Sequence, residues 1–133
     1  MEFSCPETVP ELSRQAAELV LEIGNYKRTR GIDKILENMV DRTTVVAIDG
    51  SEQVIGTAGL RIVRAHIGML EDVVSEPRRR RSGVGSSVVQ AVENIARWQG
   101  ISELVLASTR EGVPFYKHLG YTQLAVRIFQ KYL

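Results

Sequence analysis

The residues best suited to do chemistry are four consecutive arginines, Arg78–Arg81, which stand directly ahead of two glycines at positions 83 and 85. An amphipathic helical pattern begins in the same segment, at Val84. The first turn of a helix leaves backbone amides unpaired, and the helix dipole adds partial positive charge there. Glycine lets a ligand approach the backbone closely, and arginine adds formal charge. The segment therefore predicts a site for phosphate or pyrophosphate. The alternative is a solvated basic turn ahead of an ordinary helix.

Two familiar phosphate-binding motifs do not fit this segment. A dinucleotide-binding fingerprint needs a third glycine, and Val88 stands where that glycine is required. A Walker loop needs the tripeptide Gly-Lys-Ser/Thr, which the sequence lacks. The predicted anion site therefore belongs to neither class of nucleotide-binding protein.

The charge of the whole chain narrows the choice of ligand. The 133 residues include 17 Lys and Arg against 16 Asp and Glu, a formal net charge of +1. Residues 1–66 carry ten acids and eight bases, whereas residues 67–133 carry six acids and nine bases. A dedicated nucleic-acid binder usually has a basic excess, so we exclude nucleic acid as a partner and interpret the arginine run as a local feature.

The composition is that of an ordinary folded protein, with 44% hydrophobic and 25% charged residues. The length favours a single domain over residues 1–133. No apolar run approaches the roughly 20 residues of a membrane span, and the acidic N-terminus does not resemble a signal peptide. We therefore expect a cytoplasmic protein without a membrane partner. One cysteine, Cys5, and two histidines, His66 and His118, predict neither a disulfide nor a metal site.

The hydrophobic pattern predicts the elements that position the arginine–glycine segment. A capping box, Thr8 to Glu11, opens a first helix that Gly24 ends, and a second amphipathic helix covers residues 32–40. The rest of the pattern predicts an antiparallel hairpin, a strand, the strongest helix of the chain, a short strand, a short helix and a closing hairpin or strand; these cover residues 43–48 with 54–63, 67–74, 84–96, 104–107, 113–119 and 121–133. This order indicates an α/β fold with a mixed sheet rather than a doubly wound parallel one.

Two motifs in this sequence resemble those of the GNAT acetyltransferases. Arg80–Gly85 matches the family signature R/Q-x-x-G-x-G/A, and Phe115–Tyr121 resembles the second hallmark, Phe/Leu-Tyr-x-x-x-Gly-Phe/Tyr. One helix and one strand separate the two motifs, as the family requires, and the element order over residues 8–133 also matches. The resemblance implies a single N-acetyltransferase domain, with helices on both faces of a mixed sheet and two central parallel strands that splay apart around acetyl-CoA.

The resemblance also implies which residues hold acetyl-CoA. The pantetheine arm would pair with the backbone of the strand ahead of the signature, at Val73, Val74 and Ser75. The pyrophosphate would lie on the signature segment, with Arg80 as the signature arginine; the other residues of this set are Arg81, Ser82, Gly83, Val84, Gly85 and Ser86. The remaining arginines are expected to be partly solvated, and no metal is implied.

For the transfer itself, the resemblance gives Tyr116 the role of general acid toward the leaving thiolate. A phenol with a pKa of about 10 is protonated at neutral pH and can donate a proton; the alternative is a core tyrosine. For the general base, the family often carries acidic residues at the positions of Glu71 and Asp72. Strand alternation predicts that these two side chains point to opposite sides of the sheet. We favour Glu71 acting through a water, with Asp72, His118 or no dedicated base as alternatives.

The acceptor amine is implied to lie between the loop joining the first two helices and the strands that face the cofactor. That loop, Tyr26–Arg30, is basic, and the strand ahead of the cleft carries Arg61 and Arg64, so a phosphate or carboxylate on the acceptor is favoured. The segment Leu70–Val74 resembles the glucosamine-phosphate N-acetyltransferase branch. This resemblance implies direct attack, in a ternary complex, by the amine of a small molecule such as glucosamine 6-phosphate.

Two residues depart from the family pattern, and other functions stay open. Thr109 and Gly112 stand where asparagine and alanine are common in the family, which puts a side-chain contact to the cofactor in question. The alternative functions are acetylation of a protein N-terminus or lysine, and a CoA-binding regulatory module without catalysis.

The only candidate for a first strand is residues 2–5, so one sheet edge would be short or missing. A second subunit often covers such an edge, which makes a homodimer a further prediction.

Overall fold

Seven strands form one mixed sheet in the order β1-β2-β3-β4-β5-β7-β6. The strands are β1 (Glu2–Ser4), β2 (Thr43–Ile48), β3 (Val54–Arg64), β4 (Ile67–Ser75), β5 (Glu103–Ala107), β6 (Thr122–Gln123) and β7 (Ile128–Tyr132). Neighbouring strands are antiparallel except β4 and β5, which are parallel. The predicted mixed sheet is confirmed, and a short first strand is present at one edge, where Phe3 pairs with Ala47.

The structure is a computed structural model, and it describes residues 2–4, 10–23, 36–37, 42–79 and 82–133. Several expectations concern residues outside these ranges, namely Cys5, the capping residue Thr8, Gly24, the loop Tyr26–Arg30, Arg80 and Arg81. Most of the predicted second helix lies outside them as well; of its residues, Leu36 and Glu37 are described and are helical.

Helices cover both faces of the sheet. They are α1 (Pro10–Ile23), α2 (Val84–Trp98) and α3 (Val113–His118). Consecutive residues of β2 point to opposite faces. Val46 packs with Ala16 and Val20 of α1, whereas its neighbour Val45 belongs to the apolar cluster that contains Val88 of α2. No helix within the described ranges is long and apolar enough to cross a membrane.

The parallel pair at the centre of the sheet separates toward its C-terminal ends. Residues 67–69 of β4 pair with residues 103–105 of β5. Beyond these pairs β4 continues to Ser75 and β5 to Ala107, and within the described ranges the two strands do not pair again. On its other side β4 stays paired with β3 as far as Ser75, which lies opposite Gly56. The predicted splay is therefore present as a loss of pairing between the C-terminal ends of β4 and β5, which we call the opening.

Candidate active site

The first turn of α2 lies against the end of β4. Gly56, which pairs with Ser75 of β4, makes room for Val84, because a Cβ atom at position 56 would come 2.5 Å from Val84 Cγ1. A side chain there would force the helix away from the strand. The glycine therefore allows α2 to begin beside the opening between β4 and β5.

The first turn of α2 begins at a glycine, which has no side chain to cap the helix. Gly83 has φ 85° and ψ 4°, a left-handed conformation that glycine adopts readily. Gly83 supplies no side-chain cap, and the first turn of the helix contains no acid. The amide of Ser87 donates the first intrahelical bond, to the Gly83 carbonyl at 2.9 Å. The preceding amides, of Val84, Gly85 and Ser86, belong to the part of a helix that has no intrahelical acceptor, so an anion can bind there in the way that the predicted pyrophosphate site requires.

The arginine run faces solvent where the structure describes it. The side chain of Arg78 is 90% exposed, and its Nε lies 3.9 Å from a carboxylate oxygen of Glu76. An ion pair this exposed contributes little to stability. Arg78 therefore behaves as the solvated member of the run, as expected.

The two sequence motifs meet where α3 packs on the first turn of α2. A Cβ atom at position 85 would come 3.3 Å from the ring of Phe115, so Gly85 permits a close approach of the two helices. The Phe115 ring packs edge-on against Tyr116, with ring centroids 5.0 Å apart. The structure thus brings the signature glycines and the Phe115–Tyr121 segment to one place.

Tyr116 is largely buried, with 8% of the residue exposed. Its ring centroid lies 5.8 Å from that of Tyr121 and 6.0 Å from that of Phe129. These aromatic contacts hold the ring in one position, as they would in any core tyrosine. Burial therefore suits both interpretations of Tyr116, and its role as general acid stays a prediction.

The turn ahead of α3 accounts for the two departures from the family pattern. The amide of Gly112 donates a hydrogen bond to Thr109 Oγ1 at 3.2 Å, so the threonine hydroxyl serves the turn itself. A Cβ atom at position 112 would come 2.7 Å from Ser108 Oγ and 3.3 Å from Tyr116 Cε2. An alanine at position 112 would therefore require the Ser108 side chain to move.

A buried polar network, which the sequence analysis missed, joins α2 to β7. Glu93 of α2 is 4% exposed, and its Oε2 accepts hydrogen bonds from Tyr121 Oη and Lys131 Nζ, each at 2.9 Å. Lys131 Nζ also donates to the Leu119 carbonyl at 2.9 Å. Burial, together with the adjacent Glu93 carboxylate, raises the pKa of Tyr121 well above its ordinary value, so the hydroxyl stays protonated and donates. An acid on the apolar face of the α2 pattern was the available signal.

β4 carries a bulge at its acidic residues. The β3–β4 register shifts between Thr57 and Gly59, so that Asp72 and Val73 lie opposite a single residue of β3. Asp72 has φ 47°, a left-handed conformation that few residues other than glycine adopt, aspartate among them. A bulge bends its strand and changes the direction of the side chains around it.

Both carboxylates at the bulge contact one buried arginine, Arg42, whose side chain is 2% exposed. Arg42 Nη1 lies 2.7 Å from Asp72 Oδ2 and 3.5 Å from Glu71 Oε1. Glu71 Oε1 also accepts a hydrogen bond from Arg61 Nε at 2.9 Å. The prediction that Glu71 and Asp72 point to opposite sides is therefore wrong, because the bulge interrupts strand alternation between them.

The two carboxylates differ in their access to water. The side chain of Glu71 is 26% exposed and that of Asp72 is 5% exposed. Glu71 is thus the one that solvent reaches, whereas Asp72 is enclosed with Arg42. His118, the third candidate base, is exposed at the end of α3.

The two arginines expected near the acceptor, Arg61 and Arg64, lie opposite different residues of β4. Arg61 is paired with Glu71. Arg64 lies opposite Ile67, at the end of β4 away from the opening. Within the described residues, no group of three His, Cys, Asp or Glu side chains is arranged to hold a metal ion.

Sequence reasoning missed Arg42, and the available signal was a glycine on the neighbouring strand. Gly59 lies opposite Thr44, and a Cβ atom at position 59 would come 2.7 Å from Arg42 Nε. A glycine inside a strand often marks such a close approach. The glycine at position 59 therefore indicates that another side chain, here that of Arg42, crosses the strand at this point.

The family of the chain follows from its sequence and agrees with this geometry. The profile of the acetyltransferase (GNAT) family matches residues 11–121, and the chain belongs to that family. A Bacillus subtilis protein named for acetyltransferase activity is 40% identical over 67 residues, which cover 50% of this chain and 45% of that protein. The glucosamine 6-phosphate N-acetyltransferase of Trypanosoma brucei brucei is 31% identical over 86 residues, or 59% of this chain and 58% of the enzyme. The matches thus span about half the length of these two curated relatives.

The fold also matches a solved structure. An aminoglycoside 6'-N-acetyltransferase complexed with coenzyme A has a TM-score of 0.85 against this chain, over 99% of this chain and 97% of that one. The two sequences are 18% identical, so the likeness concerns the fold. It confirms the α/β GNAT architecture that the two motifs predict.

Proposed function

We propose that the chain is an acetyl-CoA-dependent N-acetyltransferase that transfers the acetyl group to a primary amine of a small molecule, by direct attack in a ternary complex. The observation that carries the proposal is the opening between β4 and β5 beside the first turn of α2, which begins at left-handed Gly83. An extended arm can enter such an opening and pair with strand backbone, while its pyrophosphate reaches the helix amides. Membership in the acetyltransferase family supports the same reaction.

The chemistry of the donor groups fits acetyl-CoA at both ends of the opening. Val73, Val74 and Ser75 follow the last β4–β5 pair, so their backbone can pair with the pantetheine amides. The amides of the first turn of α2 and the charges of the arginine run suit a pyrophosphate; the proposed residues are Arg80, Arg81, Ser82, Gly83, Val84, Gly85 and Ser86. Acetyl-CoA, when bound, supplies an activated thioester.

Tyr116 is the proposed proton donor to the leaving sulfur. Its segment packs on the first turn of α2 through Phe115, and this contact supports a position beside the proposed cofactor site. A protonated phenol held by surrounding rings can donate to a developing thiolate without first reorganising. A strand amide near Val73 would polarise the thioester carbonyl.

Glu71 is the proposed general base, acting through a water. Its carboxylate is the more exposed of the two at the bulge, so water can carry a proton to it from the acceptor ammonium. Asp72 is held at 2.7 Å by buried Arg42, and it is the alternative base. In either case the amine must be neutral when it attacks.

We propose a phosphorylated amino sugar such as glucosamine 6-phosphate as the acceptor. The support is the similarity to the trypanosome enzyme, whose name carries that substrate, together with the basic excess of the second half of the chain. Acetylation of a protein N-terminus or lysine, and CoA binding without catalysis, are the competing functions. A cytoplasmic location, a homodimer and a single domain over residues 1–133 stay proposals.

A thiol-release assay with acetyl-CoA tests the proposal. The amine panel contains glucosamine 6-phosphate, polyamines, aminoglycosides and a peptide with a free N-terminus, and the proteins are the wild type, Tyr116→Phe and Glu71→Gln. We expect turnover with a small amine and a loss of about 10²–10⁴-fold in kcat for each variant. Acetyl-CoA binding without turnover on any amine would favour the regulatory module. Unchanged turnover by Tyr116→Phe would remove the assigned acid.

A further inference from the structure

A solvent-open surface cavity of about 380 Å³ lies between the start of α3 and the segment that leads into β7, and most of its lining residues are exposed. Four side chains line it: Arg110, Val113, Val126 and Arg127. Two of the four are cations and two are apolar, and none is acidic. This composition differs from that of the bulge, where each arginine is matched by a carboxylate.

The cavity lies at the same end of the sheet as the opening. β5 ends at Ala107, which pairs with Ile128, and the amide of Ser108 donates to the Arg127 carbonyl at 2.7 Å. Arg127 is thereby attached to the C-terminal end of β5, the end at which β4 and β5 have separated. The cavity is therefore at the same end of the strands as the proposed reaction site rather than at the opposite, paired end.

Arg110 and Arg127 are exposed cations. Within the described residues neither Arg110 nor Arg127 has an ion-pair partner, although both line one small cavity. Two like charges so placed repel each other, and an anion between them converts repulsion into attraction. Guanidinium groups bind phosphate and carboxylate oxygens in bidentate geometry, which makes these the anions that the cavity suits.

The position of α3 separates this cavity from the proposed pyrophosphate site. Phe115 of α3 packs on Gly85, in the first turn of α2. Val113 precedes Phe115 by two residues, and at 100° per helical residue the two side chains leave nearly opposite sides of α3. Tyr116, three residues after Val113, lies close to the Val113 side of the helix. An anion in the cavity would therefore lie on the Tyr116 side and away from the first turn of α2.

We propose that Arg110 and Arg127 form the subsite for an anionic group, phosphate or carboxylate, of the acceptor amine. The inference rests on the proposed function and gives its substrate class: a small primary amine that carries a negative charge away from the nitrogen.

The test compares matched acceptors with and without the anion. Arg110→Gln, Arg127→Gln and the double variant are assayed with glucosamine 6-phosphate against glucosamine, and with an amino acid against its amide. Arg97→Gln is the control, because Arg97 is an exposed arginine in the last turn of α2. We expect kcat/KM for the anionic acceptor to fall about 10- to 100-fold in each single variant, with the uncharged acceptor and the KM for acetyl-CoA nearly unchanged.

Three outcomes would overturn the inference: equal losses for both members of a pair, no loss beyond that of Arg97→Gln, or a rise in the KM for acetyl-CoA instead. The last would assign the cavity to a phosphate of the cofactor. Titration with inorganic phosphate, followed by calorimetry, separates the subsite from the reaction. If the wild type acetylates no amine but binds phosphate, and the double variant does not, the acetyltransferase proposal fails while the anion site stands. If the wild type binds no phosphate and shows no preference for anionic acceptors, the subsite itself is excluded.

Discussion

Arg42 and Asp72 form an ion pair of 2.7 Å in which both side chains are at least 95% enclosed, and the aspartate is the left-handed residue of the β4 bulge. The pair joins the residue that precedes β2 to the strand that borders the opening. The same guanidinium lies 3.5 Å from Glu71, the proposed base. Arg42 thus links the shape of the bulge to the position of the carboxylate beside it.

Replacing Arg42 is expected to destabilise the protein strongly. Arg42→Met leaves the Asp72 carboxylate buried without its cation, and removal of one partner from a buried pair costs about 3–5 kcal/mol. Urea unfolding followed by circular dichroism measures the loss. The control is Arg14→Met, which breaks an exposed pair with Glu18 and should change the free energy of unfolding by less than about 1 kcal/mol. The double variant Arg42→Met with Asp72→Asn should recover part of the loss, and no recovery would argue that the arginine acts by packing alone.

Gly59 is expected to accept no larger residue. In Gly59→Ala the new Cβ atom would come 2.7 Å from Arg42 Nε, and the guanidinium is held in place by its carboxylate partners. We expect the free energy of unfolding to fall by about 1–3 kcal/mol, as for overpacking in a core. Gly50→Ala is the matched control, because a Cβ atom at position 50 meets nothing within 4 Å. Equal effects of the two substitutions would show that the arginine can move aside.

A substitution at Gly83 tests the proposed anion site at the first turn of α2. Gly83→Asp places a carboxylate where the proposed pyrophosphate binds, so we expect the dissociation constant of acetyl-CoA to rise more than about tenfold. Gly100→Asp is the control for backbone strain: Gly100 has φ 83°, close to the 85° of Gly83, and lies just beyond the other end of α2. Isothermal titration with acetyl-CoA measures both variants. If Gly83→Asp binds as tightly as Gly100→Asp, the helix start is not the pyrophosphate site.

Because the Tyr121 hydroxyl is buried beside Glu93, we expect the folded protein to lose stability at alkaline pH. Burial and the Glu93 carboxylate raise its pKa in the folded protein, so the unfolded chain releases the phenolic proton first, from about pH 10 upward. Above that pH the folded state binds more protons than the unfolded state, and the free energy of unfolding falls with rising pH, by about 1.4 kcal/mol for each pH unit.

The comparison for this prediction is Tyr121→Phe, measured by urea unfolding between pH 8 and pH 11 in steps of about half a unit. The variant loses the hydrogen bond to Glu93, which costs about 1–3 kcal/mol at neutral pH because the carboxylate is left with fewer donors. It should then lose less stability than the wild type as the pH rises. Parallel pH profiles for the two proteins would show that another group dominates the alkaline transition.

Features that depend on short stretches of sequence were predicted well. The arginine–glycine segment at the start of α2 and the Tyr116 segment were both recognised, because their motifs are contiguous and lie next to strong hydrophobic periodicity. The strands of the mixed sheet were recognised for the same reason. The structure adds that the two motifs touch, through Gly85 and Phe115.

Features that depend on distant residues were not predicted. Arg42 and Asp72 are 30 positions apart, and nothing local to either residue indicates the pair. The bulge changed the expected direction of Glu71, because simple alternation assumes an unbroken strand. Arg110 and Arg127 likewise come together only because the end of β5 bonds to the segment ahead of β7.

The splay of β4 and β5 has a mechanical consequence. Three residue pairs, 67–69 with 103–105, are the only strand pairing in the described part of the chain that joins the β1–β4 half of the sheet to the β5–β7–β6 half. Beyond these pairs lies a seam, in which the strand edges have lost their backbone partners. An extended co-substrate laid along that seam would act as a missing piece of sheet, and it would add backbone pairing to the apolar core that already joins the two halves.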